Sequence, residues 1–293
     1  MTIIDDEQKL GKLLKKATPI QKSRLYTYGF KFLSTKKQTR DNSTIKQEYD
    51  LSAYQYLLTK KIWNEKNLED LCYIRIINGT LENNNSISTS LFNEKLYSSK
   101  LINLKKLYAI KLIKIITKLI TPNDTLCELG CGFGKYLFLL RQNGISSNLE
   151  GYDISLNGIE LARKINSKFE TNINFKQFDM TKDLRKIDFS NKIIFTHLAL
   201  EQLKPELENI IGNLIKCKPK EVIHFEHFPQ LYTSGLRHSA SKIYYDKKDY
   251  QTKLFEILSK YDREEKINLI SVERFPHALN PLHEMGVIRW KIN

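Results

Sequence analysis

The sequence predicts an α/β fold. A mainly parallel sheet carries helices on both faces, ends in an antiparallel hairpin, and follows a mainly helical N-terminal segment. Three observations predict it. From residue 125 onward, apolar strand-like runs alternate with helical patterns. A glycine-rich turn follows the first of those runs. The last two strand patterns have no helix between them, so they should pair as a hairpin at the sheet edge.

The elements follow in order. Thr125–Leu129 is a short apolar run before glycines, and Lys135–Gln142 reads as a helix. Asn148–Asp153 reads as a strand and Leu156–Lys168 as a helix. Ile173–Phe178, Lys192–His197 and Glu221–Glu226 are further strands, with a helix at Pro205–Ile215 between the last two. Asn268–Phe275 and Gly286–Ile292 are the closing strands, joined through a loop holding Pro276 and Pro281.

Upstream, Ser98–Ile120 has a helical pattern with Leu101, Leu104, Ile110, Ile113 and Leu119 on its apolar face and solvated lysines; it stops at Thr121-Pro122-Asn123-Asp124. Residues 1–77 show mixed helical periodicity, as at Leu51, Tyr54, Leu57, Leu58 and Ile62. Residues 78–95 are polar and Asn/Ser-rich and read as a loop or linker. The chain therefore divides into a helical cap at 1–97 and an α/β domain at 98–293.

Composition bounds the function. With 41% apolar residues the chain can bury a core. The net charge is +14, and residues 1–120 hold 22 basic and 11 acidic residues against 25 and 22 in the remainder. An anionic partner should meet the N-terminal part, where Lys15-Lys16, Lys36-Lys37 and Lys60-Lys61 stand in pairs. The Lys, Asn and Ile richness is equally what an AT-rich genome produces, and arginine, the better phosphate fork, is scarce. Cys72, Cys127, Cys131 and Cys217 form neither a C-x-x-C pair nor a zinc-finger spacing, which points to a reduced, cytoplasmic setting. No run is long and apolar enough to span a membrane, and the N-terminus, with Asp5, Asp6 and Glu7, does not read as a signal peptide.

The most informative segment is Glu128-Leu129-Gly130-Cys131-Gly132-Phe133-Gly134, at a strand end and opening a helix. Its G-x-G-x-G spacing differs from the G-x-G-x-x-G of dinucleotide folds. Glu128, just before the glycines, is a poor neighbour for a pyrophosphate and a suitable one for a cationic amino group. The second strand ends at Asp153, 23 residues after Gly130, where an acid can accept from both hydroxyls of a ribose. The third ends at Asp179-Met180, which can read the edge of an adenine. Each acid alone also reads as a helix N-cap or turn acid. At successive strand ends they share the sheet edge where open α/β sheets bind ligands.

On ELGCGFG, GYDIS, FDM and the terminal hairpin, residues 98–293 resemble the class I S-adenosylmethionine (SAM)-dependent methyltransferase family. The resemblance implies a Rossmann-like, doubly wound seven-stranded sheet and SAM as cofactor. It implies that Glu128 and the Gly130, Cys131, Gly132 and Gly134 loop hold the methionine part, that Asp153 holds the ribose, and that Ile154 packs on adenine. Asp179 and Met180 would read the adenine edge, with Thr196 on the fourth strand facing the cofactor.

Acceptor-side residues should lie at the fourth and fifth strand ends. His197 suits a base or a group positioning an amine, and it also reads as a packed histidine. Glu226 and His227 are the other candidates. A His/Glu metal site lacks a third ligand by spacing, so no metal is expected. The segment Phe228–Tyr250, with Tyr232, Arg237, His238, Tyr244, Tyr245 and Tyr250, reads as an insert covering the substrate, and His283 reads as structural. The D/N-P-P-Y motif of many nucleic-acid and glutamine amide-N methyltransferases is absent. The expected function is methyl transfer to an O or N of a small molecule or biosynthetic intermediate of natural-product or sugar type. The alternatives are an RNA or protein methyltransferase using the basic N-terminal part, and a SAM-binding module without catalysis.

Overall fold

The computed structural model describes residues 6–39, 41–77, 79–231 and 235–293. Tyr232 of the expected insert lies outside the described residues.

Seven strands form the main sheet: β1 (Thr125–Leu129), β2 (Asn148–Asp153), β3 (Asn174–Gln177), β4 (Ile193–His197), β5 (Glu221–Glu226), β6 (Ile267–Arg274) and β7 (Gly286–Ile292). Their order is β6-β7-β5-β4-β1-β2-β3. The β1–β5 pairings are parallel, and β7 runs antiparallel to both β5 and β6. This is the Rossmann-like arrangement of the class I methyltransferase fold, with the closing hairpin where the sequence places it.

The central strands are apolar at both alternations because both faces are covered. Ile193, Phe195, Ile223 and Phe225 join one cluster with helices α1 (Leu101–Thr117), α2 (Lys135–Gln142) and α3 (Leu156–Phe169). Ile194, Val222, Ile288 and Trp290 join the other, against α4 (Leu207–Lys216) and α6 (Leu254–Arg263). Chain order reverses between β1 and β4, which opens a crevice at the C-terminal strand ends.

The N-terminal region is helical, as expected, but two expectations about it are corrected. Residues 79–95, within the stretch expected as a loop or linker, hold strand as well as turn. Ile87–Phe92 and Lys95–Lys100 form a hairpin around Asn93 and Glu94, both at positive φ. Lys15–Lys16 pairs with one side of it and His277–Ala278, from the α/β part, with the other. That hairpin crosses the expected 97/98 boundary. The α1 lysines are not simply solvated: Lys105 is buried on Glu82, Lys106 meets Glu69, and Lys111 and Lys114 both meet Glu7. The expected insert after β5 is a short turn followed by helix α5 (Leu236–Lys248), in which Tyr244 and Tyr245 are buried. Among the described residues, no helix is long and apolar enough to cross a membrane.

Candidate active site

The β1–α2 turn is built by its glycines. Gly130, Gly132 and Gly134 have φ of +77°, +56° and +81°, conformations that side chains other than glycine's rarely adopt. A Cβ on Gly130 would stand 2.4 Å from the Cβ of Ala199, and one on Gly132 would stand 2.3 Å from the Tyr54 hydroxyl. The loop thus packs against the turn after β4 and against an N-terminal helix. Cys131 turns its buried thiol into the packing, and its amide donates to the Tyr152 carbonyl at 3.1 Å. Its part in the loop is carried by its backbone.

Glu128 is buried, and its Oε2 has no hydrogen-bond partner. Burial first, then the neighbouring Asp153 charge, pushes its carboxyl well above the ordinary range. Asp153 ends β2 with one oxygen accepting from the Gly132 amide at 2.7 Å and the other from the Ser155 amide at 2.8 Å. The carboxylate is held on the loop with lone pairs to spare. Beside it Ile154 is an exposed apolar side chain, 46% accessible. Asp179 Oδ1 accepts from the Thr181 amide and hydroxyl, and Met180 is buried with its methyl against Gly130. These residues share one edge of the sheet.

Thr196 departs from expectation. It is fully buried, and its hydroxyl pairs with His224 Nδ1 at 3.0 Å. The two residues are partners in the β4–β5 register and point to the same face. Period-two alternation turns the Thr196 side chain to the face it shares with His224.

At the ends of β4 and β5 the side chains divide. His197 Nε2 lies 2.7 Å from the Tyr108 hydroxyl, and its ring centroid is 4.4 Å from that of Tyr136. Burial, reinforced by Lys135, holds its pKa down at about 3, so it stays neutral and able to accept a proton weakly. Leu198 follows at φ +52°, which turns the chain sharply into the 200–202 helical turn. Glu226 is fully buried, and its Oε1 caps that turn by accepting from the amides of Ala199 at 3.0 Å and Leu200 at 3.1 Å. Burial, then the Glu201 charge, pushes its carboxyl up to about 8.

His227 does not point to His197. Its Nε2 is 2.7 Å from Glu201 Oε2, and His283 Nε2 is 3.1 Å from the same oxygen. His283, expected to be structural, thus stands beside His227, and Glu201, which the sequence reading did not single out, joins them. The Glu201, His227 and His283 donor atoms all lie within 4.8 Å of one another. The local signals were A-L-E-Q after β4 and P-L-H-E before β7, but no spacing connects them.

Three more residues were missed in the N-terminal helix. Asp50 is buried and accepts from the Ser155 hydroxyl at 2.5 Å and the Asn157 amide at 2.9 Å. It fixes this helix to the N-terminus of α3, directly after Asp153. Tyr54 then lies over Gly132, and Tyr49 accepts from Gln202 at 3.2 Å. One helix thus touches both halves of the sheet edge.

Residues 120–258 match a protein family described as a methyltransferase domain. No curated protein sequence matches the chain. Among solved structures, the geranyl diphosphate C-methyltransferase of Streptomyces coelicolor A3(2) is 10% identical, with 66% of this chain and 81% of that one covered at a TM-score of 0.50. The magnesium protoporphyrin IX methyltransferase of Synechocystis PCC 6803 is 12% identical, covering 63% and 78% at 0.46. A SAM-dependent methyltransferase of Aquifex aeolicus is 14% identical, covering 61% and 89% at 0.42. Fold and family match together define a methyltransferase domain. The seven-stranded sheet with its antiparallel closing hairpin is the fold of class I methyltransferases.

Proposed function

We propose that this protein transfers the methyl group of SAM to an oxygen or nitrogen of a small molecule or biosynthetic intermediate, of natural-product or sugar type. The observation that carries the cofactor assignment is the buried, unpartnered Glu128 oxygen under the glycine loop. A buried acceptor without a partner costs about 1–3 kcal/mol, and the amino group of a methionine moiety removes that cost. The rest of the edge fits the same ligand. Asp153 is positioned to accept from ribose hydroxyls, exposed Ile154 offers an adenine an apolar face, and Asp179 with Met180 offers polar and apolar contacts at the ring edge.

Bound SAM supplies a methyl carbon activated by its sulfonium. The protein's own residues then have to exclude water and orient the acceptor. Tyr54 and Tyr49 cover the loop from the N-terminal helix. His197, neutral and tied to Tyr108, orients an acceptor hydroxyl or amine. Glu226 acts by holding the 199–202 turn. His227 belongs with Glu201 and His283.

A small acceptor is favoured over RNA by the fate of the basic charge: the α1 lysines are spent on Glu7, Glu69 and Glu82. The test is transfer of labelled methyl from SAM into source-cell extract separated into small molecules, glycans and lipids, protein, and RNA. Label in the small-molecule or glycan fraction supports the proposal. Label in RNase-sensitive or protein material overturns it.

A further inference from the structure

We propose that Glu201, His227 and His283 bind one divalent first-row transition-metal ion, with Zn²⁺ its simplest occupant. Two imidazoles and a carboxylate are a donor set suited to such ions, and three protein ligands leave a further position open. The three donor atoms come from the turn after β4, the end of β5 and the loop before β7. Glu201 Oε2 lies 2.7 and 3.1 Å from the two imidazole nitrogens, which also contact each other; donors bonded to one ion at about 2.0–2.2 Å stand no more than about 4.4 Å apart.

The surroundings fix the donors as ligands. His227 Nδ1 faces the Glu284 carbonyl oxygen and lies 2.8 Å from the Tyr245 hydroxyl. A carbonyl only accepts, so Nδ1 carries the hydrogen and Nε2 presents a bare lone pair to Glu201. Such a second-shell bond is what orients a metal-binding histidine. A bare imidazole nitrogen 2.7 Å from a carboxylate oxygen repels it unless a positive charge lies between them. His283 Nε2 contacts that nitrogen and lies 3.1 Å from the same oxygen, so all three donor atoms face one point.

The framework is rigid. Glu201 and His227 are buried. Glu226 caps the turn carrying Glu201, and Arg237 with His238 grips the Glu284 side chain beside His283. Tyr250 stacks on both imidazoles. A cavity of about 440 Å³ is lined in part by Tyr245 and Tyr250, which contact the two imidazoles. On the methyl-transfer reading, the open position takes the acceptor's oxygen or nitrogen, whereas the metal site itself stands on the cluster alone.

The test uses tag-free full-length protein, stripped with a chelator and titrated with Zn²⁺ against a chromogenic competitor. One equivalent should bind and raise Tm. His283→Ala, at a partly accessible loop position, and Glu201→Gln should each weaken binding by at least ~100-fold, with folding checked by circular dichroism. Substoichiometric binding by the wild type, or unchanged affinity in well-folded His283→Ala, would overturn the site and leave the cluster as a proton-bridged pair. SAM binding measured on the same samples separates the two readings. SAM bound without zinc overturns only the metal site, and zinc bound without SAM overturns only the methyl-transfer reading.

Discussion

The hydroxyl of Tyr54 occupies the space where a side chain on Gly132 would begin: a Cβ built there lies 2.3 Å from it. The contact joins an N-terminal helix to the centre of the glycine loop, and it makes that position intolerant for two reasons. The first is the clash, and the second is the backbone at φ +56°. Gly132→Val should weaken SAM binding by at least ~100-fold, with a stability loss of about 1–3 kcal/mol from the strained backbone. Titration calorimetry and thermal unfolding check the two effects. Adding Tyr54→Ala should recover part of the stability, since it removes the clash but not the strain.

Glu128 ties cofactor binding to pH. In the protein without ligand, its carboxyl is held well above the usual range by burial and by Asp153. An arriving ammonium favours the ionised form, so binding should release a proton. Affinity should therefore rise with pH through that raised pKa and fall as the site is acidified. Binding enthalpies in two buffers of different ionisation heat measure the proton count. Glu128→Gln should abolish the release.

His224 predicts an acid-sensitive fold. Trp290 can only donate, and its Nε1–H lies 3.0 Å from His224 Nε2, so the histidine's hydrogen is on Nδ1, toward Thr196. The ring is fully buried, and burial holds its pKa at about 3. The unfolded chain takes up its proton near pH 6.5 and the folded chain does not. The stability linked to this group is therefore present above pH 6.5 and lost as pH falls from 6.5 toward 3, at up to about 1.4 kcal/mol per unit. Urea unfolding at pH 7.5 and 5.0 measures the slope, and His224→Gln should lower it by one proton.

Much of this was legible in the sequence because the determinants are local. The strand runs of β1, β2, β4 and β5 are bounded by turn signals, and Glu128 to Gly134 forms one contiguous motif. Three things were not legible. The 87–100 hairpin turns on Asn93-Glu94 with both residues at positive φ, a primed turn that normally announces itself with glycine; the neighbouring Asn/Ser run suggested a loop instead. Residues 46–54 form a π-helix, whose wider period shifts the buried face from a 3.6-residue reading. Leu51, expected inward, is 41% exposed, while Asp50 is buried. Glu201, His227 and His283 meet only because β4, β5 and β7 lie side by side.

Glu226 separates a positioning role from a chemical one. Its Oε1 accepts two backbone amides of the 199–202 turn, and a glutamine oxygen does the same. Glu226→Gln should keep SAM affinity and unfold within about 1 kcal/mol of the wild type. Glu226→Ala should lose about 2 kcal/mol or more by orphaning two buried amides. Urea unfolding of the two variants provides the comparison. Equal loss in both would mean that the carboxyl group itself, not the cap, is what the turn requires.

The central claim is that the C-terminal sheet edge around Glu128, Gly132 and Asp153 holds SAM. The most direct measurement is a SAM titration of the purified protein and of Asp153→Ala by calorimetry. The account predicts one site per chain in the wild type and an affinity loss of about 2–3 kcal/mol or more in the variant, since hydrogen bonds to a charged carboxylate are lost. Failure of the wild type to bind, or equal affinity in both proteins, would contradict it.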